Sequence, residues 1–365
     1  MIFNQYLMNQ SVFTPATRPS ITMIKITLAL VVIAALVFAG FKFFTPGQSS
    51  SPTSSASAQV PEQQTIIKID STDSMMNALY DERMAHITNG DTSGRWPVKS
   101  EYPLKGAILP YKRIVSYYGN LYSKNMGILG ELPPAQMLAK LQKEVENWQK
   151  ADSTLEVIPA LHYIAVTAQS YPGKGNKHRL RMPFHQIDSV LNMASRINAV
   201  VFIDVQVGLS TLQEEIPELE KYLKMPQVHL GIDPEFSMKG GQAPGKVIGT
   251  FDAADINYTS NYLAKLVKEN NLPPKVLVIH RFTKNMVTNY KNIKIRPEVQ
   301  VVMDMDGWGG PTLKYSTYKQ WISREPVQFT GFKLFYKNDV RNNQRMLTPK
   351  EVLALKPQPV YIQYQ

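Results

Sequence analysis

With 365 residues, 44% of them hydrophobic, the chain has enough apolar surface for a sizeable core, so disorder throughout is excluded. It has no cysteine, which excludes disulfides, thiolate metal sites, a cysteine nucleophile and lipid attachment through a cysteine. The formal charge of +11 favours an anionic neighbour such as a membrane surface or wall polymer, and without a basic stripe interleaved with aromatics, nucleic acid is not an expected partner.

Residues 1–23 read as a polar lead. The apolar run from Ile26 to Phe41, bracketed by Lys25 and Lys42, gives residues 24–45 the character of a transmembrane or signal-anchor helix. As a helix the run covers about 24 Å against a hydrocarbon core of about 30 Å, and snorkelling lysines with Phe43 and Phe44 extend it. A cleaved signal peptide is the alternative, but Ala56-Ser57-Ala58 lies well past the run. Residues 46–65, rich in Ser, Pro, Ala and Gln, read as a flexible linker. This order predicts a single-pass protein of a bacterial cell membrane with its body on the extracytoplasmic side, or a secreted protein if the leader is cut. Residues 66–110, with a helical pattern at Ser74 to His86 and then several Gly and Pro, read as an extension packed on the main domain.

From residue 111 the chain becomes regular. Strands are expected at Ile114 to Gly119, Ala160 to Gln169, Ala199 to Val207, Val228 to Asp233, Val276 to His280, Val299 to Asp304, Gly331 to Phe335 and Pro359 to Tyr364. Helices are expected between them at Pro134 to Lys150, Phe184 to Asn198, Thr211 to Lys224, Asp252 to Asn271, Lys284 to Asn292, Thr312 to Ser323 and from Thr348. Strict alternation of this kind over residues 111–365 points to an α/β fold, a (β/α)8 TIM-like barrel. An open doubly wound sheet is the alternative, weakened by the absence of Gly-x-Gly-x-x-Gly after the first strand and of a phosphate loop.

In a barrel the chemistry sits where the strands end, so residue parity names the candidates. The polar face offers Ser116 and Tyr118 on the first strand, Thr167 and Gln169 on the second, and Asp204 and Gln206 on the third. It continues with Asp233 and Glu235, His280, Asp304 and Asp306, Lys333, and lastly Tyr361 and Gln363. Asp252 and Asp255 read as helix caps, and His162, His178, His185 and His229 as core or surface histidines. Lys333 reads also as the cation that neutralises the acids, and Trp308, between glycines, as either core or a sugar-stacking platform.

Several carboxyls with amide and aromatic neighbours fit glycosidic bond hydrolysis, which needs one carboxylic acid kept protonated and a second group supporting an oxocarbenium-like centre. Glu235 is the expected proton donor because Asp233 crowds it; Asp233, Asp204 and Asp306 stabilise charge, orient the donor or activate water. Tyr118, Gln169, Gln206, His280, Asp304, Trp308, Lys333 and Gln363 are the expected substrate-binding residues. No cofactor is expected. The partner is a carbohydrate or cell-wall polymer, and oligomeric state is left open.

Asp233-Pro234-Glu235 at a fourth-strand end resembles the Asp-x-Glu signature of chitinase-like enzymes and of muramidases of the lysozyme-like barrel class. The resemblance implies that Glu235 donates the proton and Asp233 assists it. Where the chitinase-like pattern carries further upstream acids this chain has His229 and Gly231, and where the muramidase pattern has a first-strand acid it has Tyr118. The wider runs Ile203-Asp204-Val205-Gln206, Gly231 to Glu235 and Gly331 to Tyr336 resemble uncharacterised bacterial exported barrel proteins. Two other readings use the same residues: a non-catalytic wall-binding barrel, and a metal-dependent hydrolase with Asp204, Asp233, Glu235, His280 and Asp304 as ligands.

Overall fold

The computed structural model describes residues 71–365. The lead, the anchor and the linker expected in 1–23, 24–45 and 46–65 lie outside the described residues, as do residues 66–70 of the extension. Among the described residues no helix is long and apolar enough to cross a membrane.

Alternating apolar residues form the barrel strands β1 (Lys112–Gly119), β2 (Glu156–Ala168), β3 (Val200–Val205), β4 (Val228–Ile232), β5 (Lys275–Arg281), β6 (Val299–Met305), β7 (Phe329–Leu334) and β8 (Tyr361–Tyr364). Each pairs in parallel with the next. β1 also pairs with β8, Ile114 opposite Tyr361, so the sheet closes into an eight-stranded barrel and the open doubly wound alternative is excluded.

One face of every strand packs outward on helices. Val201, Ile203 and Val205 of β3, Val228, Leu230 and Ile232 of β4 and Val301, Met303 and Met305 of β6 join one buried cluster. Helix residues in that cluster come from α2 (Pro134–Ala151), α3 (Phe184–Ser195) and α4 (Ala253–Glu269). Pro134 starts α2, where its missing N–H costs nothing, and Asp252 with Asp255 forms a capping box on α4.

The other face fills the lumen. At its N-terminal end Ile114, Ala160, Phe202, Val276, Val278, Val302 and Phe329 pack with Tyr80, Met84 and Ile87 of α1 (Ser71–Thr88), which stops that end of the barrel. The Gln300 side-chain oxygen accepts from the Ile108 and Leu109 N–H groups at 3.0 Å each, tying the loop before β1 to the start of β6.

Three local expectations are corrected. The helix expected from Thr211 to Lys224 is broken into turns at Leu212–Glu215, Pro217–Leu219 and Glu220–Leu223, because Pro217 has no N–H and crowds the preceding turn. Lys284 to Asn292 is two tight turns around the short strand Val287–Thr288, which pairs with Phe251–Asp252. Asp252 Oδ2 draws it in by accepting from Thr288 at 2.7 Å and Asn289 at 2.6 Å. Finally, β2 carries a bulge between Ile164 and Val166, which shifts its register against β3.

Candidate active site

The C-terminal half of the lumen is polar. Asp204 of β3 lies fully buried at its centre. Its Oδ2 accepts from the Tyr118 hydroxyl at 3.0 Å, while Oδ1 lies 3.3 Å from His162 Nε2 and 3.4 Å from His280 Nε2. Each imidazole is braced from behind. His162 Nδ1 is 2.6 Å from the Tyr361 hydroxyl and 3.0 Å from the Gln363 amide, and His280 Nδ1 is 3.0 Å from Asp306 Oδ2 and 3.7 Å from Asp304 Oδ2. Gly231 makes the room: a Cβ there would stand 2.3 Å from His162 Nε2 and 2.4 Å from Asp204 Oδ1.

Above this layer β4 ends at Ile232, and Asp233 caps the tight turn Pro234–Phe236 by accepting from the Glu235 N–H at 3.0 Å. The Gln206 amide nitrogen is 3.3 Å from both the Tyr118 hydroxyl and Asp233 Oδ2, joining the two layers. Lys333 Nζ lies 2.9 Å from Asp306 Oδ1 and 3.9 Å from the centre of the Tyr118 ring. Burial orders the carboxyls by depth. Glu235 and Asp306 are each 8% exposed, Asp233 2%, and Asp204 and Asp304 not at all, so solvent reaches Glu235 and Asp306 first.

The same arrangement separates the carboxyls electrically. Burial raises Glu235 well above the ordinary carboxyl range, and the nearby charges of Asp233 and Asp306 add to it. Burial likewise pushes Asp233 and Asp304 up to about 7. Burial also opposes charge on Asp306 and Asp204, but there it is outweighed: Lys333 and His280 draw Asp306 down, and His280 and His162 draw Asp204 down. For His280, burial disfavours the cation and the carboxylates of Asp204 and Asp306 overcome it, raising it strongly. His162, where burial wins, is lowered to about 4. The consistent charge pattern is two carboxylates, Asp204 and Asp306, against two cations, His280 and Lys333.

Of the residues named by parity, Tyr118, Asp204, Gln206, Asp233, Glu235, His280, Asp304, Asp306, Lys333 and Gln363 come together in this lumen. Gln169 stands apart on the loop after β2, where its N–H donates to His178 O and its side chain lies against Gly173. Trp308 is half-buried on the loop after β6, its ring 5.6 Å from the Arg341 guanidinium. His162, read from the sequence as a core or surface histidine, belongs to the central layer. The bulge in β2 explains the miss, since residues before it face the lumen on even numbers while Thr167 and Gln169 were counted on odd ones. The signal available was the alternation Ile158, Ala160, His162 read from the start of β2 rather than from its end.

No family model matches the chain, and no curated protein matches it. Among solved structures it is similar to a ruminal GH26 endo-β-1,4-mannanase at 11% identity, covering 69% of this chain and 59% of that one with a TM-score of 0.31. It is similar also to a GH5-4 broad-specificity endoglucanase from Clostridium longisporum, at 10% identity over 61% of this chain and 75% of that one, TM-score 0.31. A third is the Bacillus megaterium spore cortex-lytic enzyme SleL, at 11% identity over 70% and 71%, TM-score 0.31. This chain thus spans less than two thirds of the mannanase.

Proposed function

We propose that the chain is a glycoside hydrolase acting on a cell-wall or other polysaccharide, with Glu235 as the general acid. The observation that carries the reading is two carboxyl residues at the solvent-reached end of one lumen, Glu235 on the turn capped by Asp233 and Asp306 held 2.9 Å from Lys333 Nζ; burial favours the neutral form of the first and the ammonium favours the anion of the second. In this mechanism Glu235 gives its proton to the glycosidic oxygen. Asp306, fixed between Lys333 and His280, faces the positive charge that develops on the sugar or deprotonates the attacking water. Asp233 sets the turn that aims Glu235. Because Tyr118, His280, Asp304 and Gln363 are buried among or beneath these acids, we take their task to be holding the carboxyls, and Trp308 to be the sugar platform. The apolar run and linker of residues 24–65 would tether the barrel on the outer face of the membrane.

The test is release of soluble sugar from purified bacterial wall material by the full-length chain, with Glu235→Gln as control. Release that falls by about 10²- to 10⁴-fold in the variant supports the reading. If neither protein releases sugar and both sediment with the wall, the barrel is a binding protein.

A further inference from the structure

We propose that His162, Asp204 and His280 bind one divalent transition-metal ion of the zinc type inside the barrel. The site does not include Glu235 and does not rest on its assignment, but it shares His280 with the charge pattern above: the ion takes the place of the proton that His280 Nε2 carries when no metal is bound. Each of the three fully buried side chains offers a ligand atom within 4.8 Å of the other two, and the atoms that face one another across Asp204 Oδ1 are His162 Nε2 and His280 Nε2. Among the described residues none of the three atoms makes a hydrogen bond, although each is buried. Buried polar atoms are nearly always satisfied, and one cation between them would satisfy all three.

The spacing suits a tetrahedral ion. Ligands about 2.0–2.1 Å from zinc stand about 3.3–3.4 Å apart in a tetrahedron. Here Asp204 Oδ1 is 3.3 Å from one imidazole nitrogen and 3.4 Å from the other. The far side of each ligand is braced as metal ligands are braced. Asp306 Oδ2 lies 3.0 Å from His280 Nδ1 as its charge partner, and Tyr118 donates to Asp204 Oδ2 at 3.0 Å. The His162 Nδ1 proton goes to the Tyr361 hydroxyl at 2.6 Å, leaving the Nε2 lone pair for the ion. With the Gln363 amide assigned the other way round, its oxygen accepts from the Tyr361 hydroxyl, whose own oxygen accepts the His162 proton. Gly231 keeps the space beside two of the ligand atoms clear. Two imidazoles and one carboxylate select a borderline ion of the zinc, cobalt or nickel kind over calcium or magnesium, which prefer oxygen.

The experiment treats the full-length chain with chelator, then titrates it with Zn²⁺ by calorimetry and with Co²⁺ by visible absorption, alongside His162→Ala, His280→Ala and, as a control on α3, His185→Ala. Expected are one Zn²⁺ per chain, intense tetrahedral Co²⁺ bands, no heat with Ca²⁺, at least a hundredfold weaker binding in the first two variants, and unchanged binding in the third. A chain that unfolds on chelation and refolds with Zn²⁺ supports the site equally. Absence of binding by a wild-type chain that keeps its far-UV spectrum overturns it, as does binding that survives both substitutions. If either variant misfolds, the wild-type Co²⁺ spectrum decides: weak octahedral bands overturn the site.

Discussion

The two ends of the lumen are lined by the same strands in the same alternation, yet they are filled in opposite ways. At the N-terminal end Val276, Val278, Val302 and Phe329 pack dry against Tyr80 and Met84. Further along the same strand faces, at the C-terminal end, stand His280, Asp304 and Lys333, buried as deeply but in need of one another. Strand parity decides which side chains point inward, and position along the strand decides whether they add stability or chemistry. Packing that is merely apolar tolerates isolation; a buried charge does not.

Substitutions at the two ends sharpen this contrast. Phe329→Ala should cost about 3–5 kcal/mol in chemical denaturation while leaving turnover per folded molecule unchanged. Lys333→Met should cost a similar amount, about 3–5 kcal/mol, because Asp306 is left buried without its ammonium partner, and it should abolish turnover as well. If Lys333→Met is as stable as wild type and still active, the ion pair has no part in the site. Gly231→Ala should cost about 1–3 kcal/mol by driving a methyl group between His162 and Asp204, read as a lower Tm.

Asp233→Asn tests the same contrast through pH rather than through a fixed loss. Asp233 is raised to about 7 in the folded chain and is near 4 unfolded, so between those values the folded state binds the extra proton and wild-type stability falls as pH rises. Asn keeps the acceptor for the Glu235 N–H and carries no proton to lose. Its stability relative to wild type should therefore improve from about pH 4 to pH 7, and a difference that is flat across that window contradicts the raised Asp233.

Much of this was legible in the sequence because the period of two survives burial. The faces read for Val201 to Gln206, Val228 to Glu235 and Val299 to Asp306 are the faces in the fold, and the caps read at Asp252 and Thr348 form capping boxes. The parts that were not legible depend on contacts between distant residues. The bulge that puts His162 and Thr167 on different parities is set by how β2 meets β3, and no local pattern announces it. Pro217 stands in the middle of Thr211 to Lys224, which was read as one helix, and it is where that helix breaks. The depth order of the carboxyls, which separates Glu235 and Asp306 from Asp204 and Asp304, exists only once all eight strands have closed.

The most direct measurement is a ¹³C NMR titration of the Asp and Glu side-chain carboxyls, with Glu235→Gln and Asp306→Asn to assign the two resonances. The account predicts that the Glu235 resonance stays in the protonated position well above the usual carboxyl range while that of Asp306 is already ionised below it. Two ordinary titrations near pH 4, or the opposite order, would contradict it.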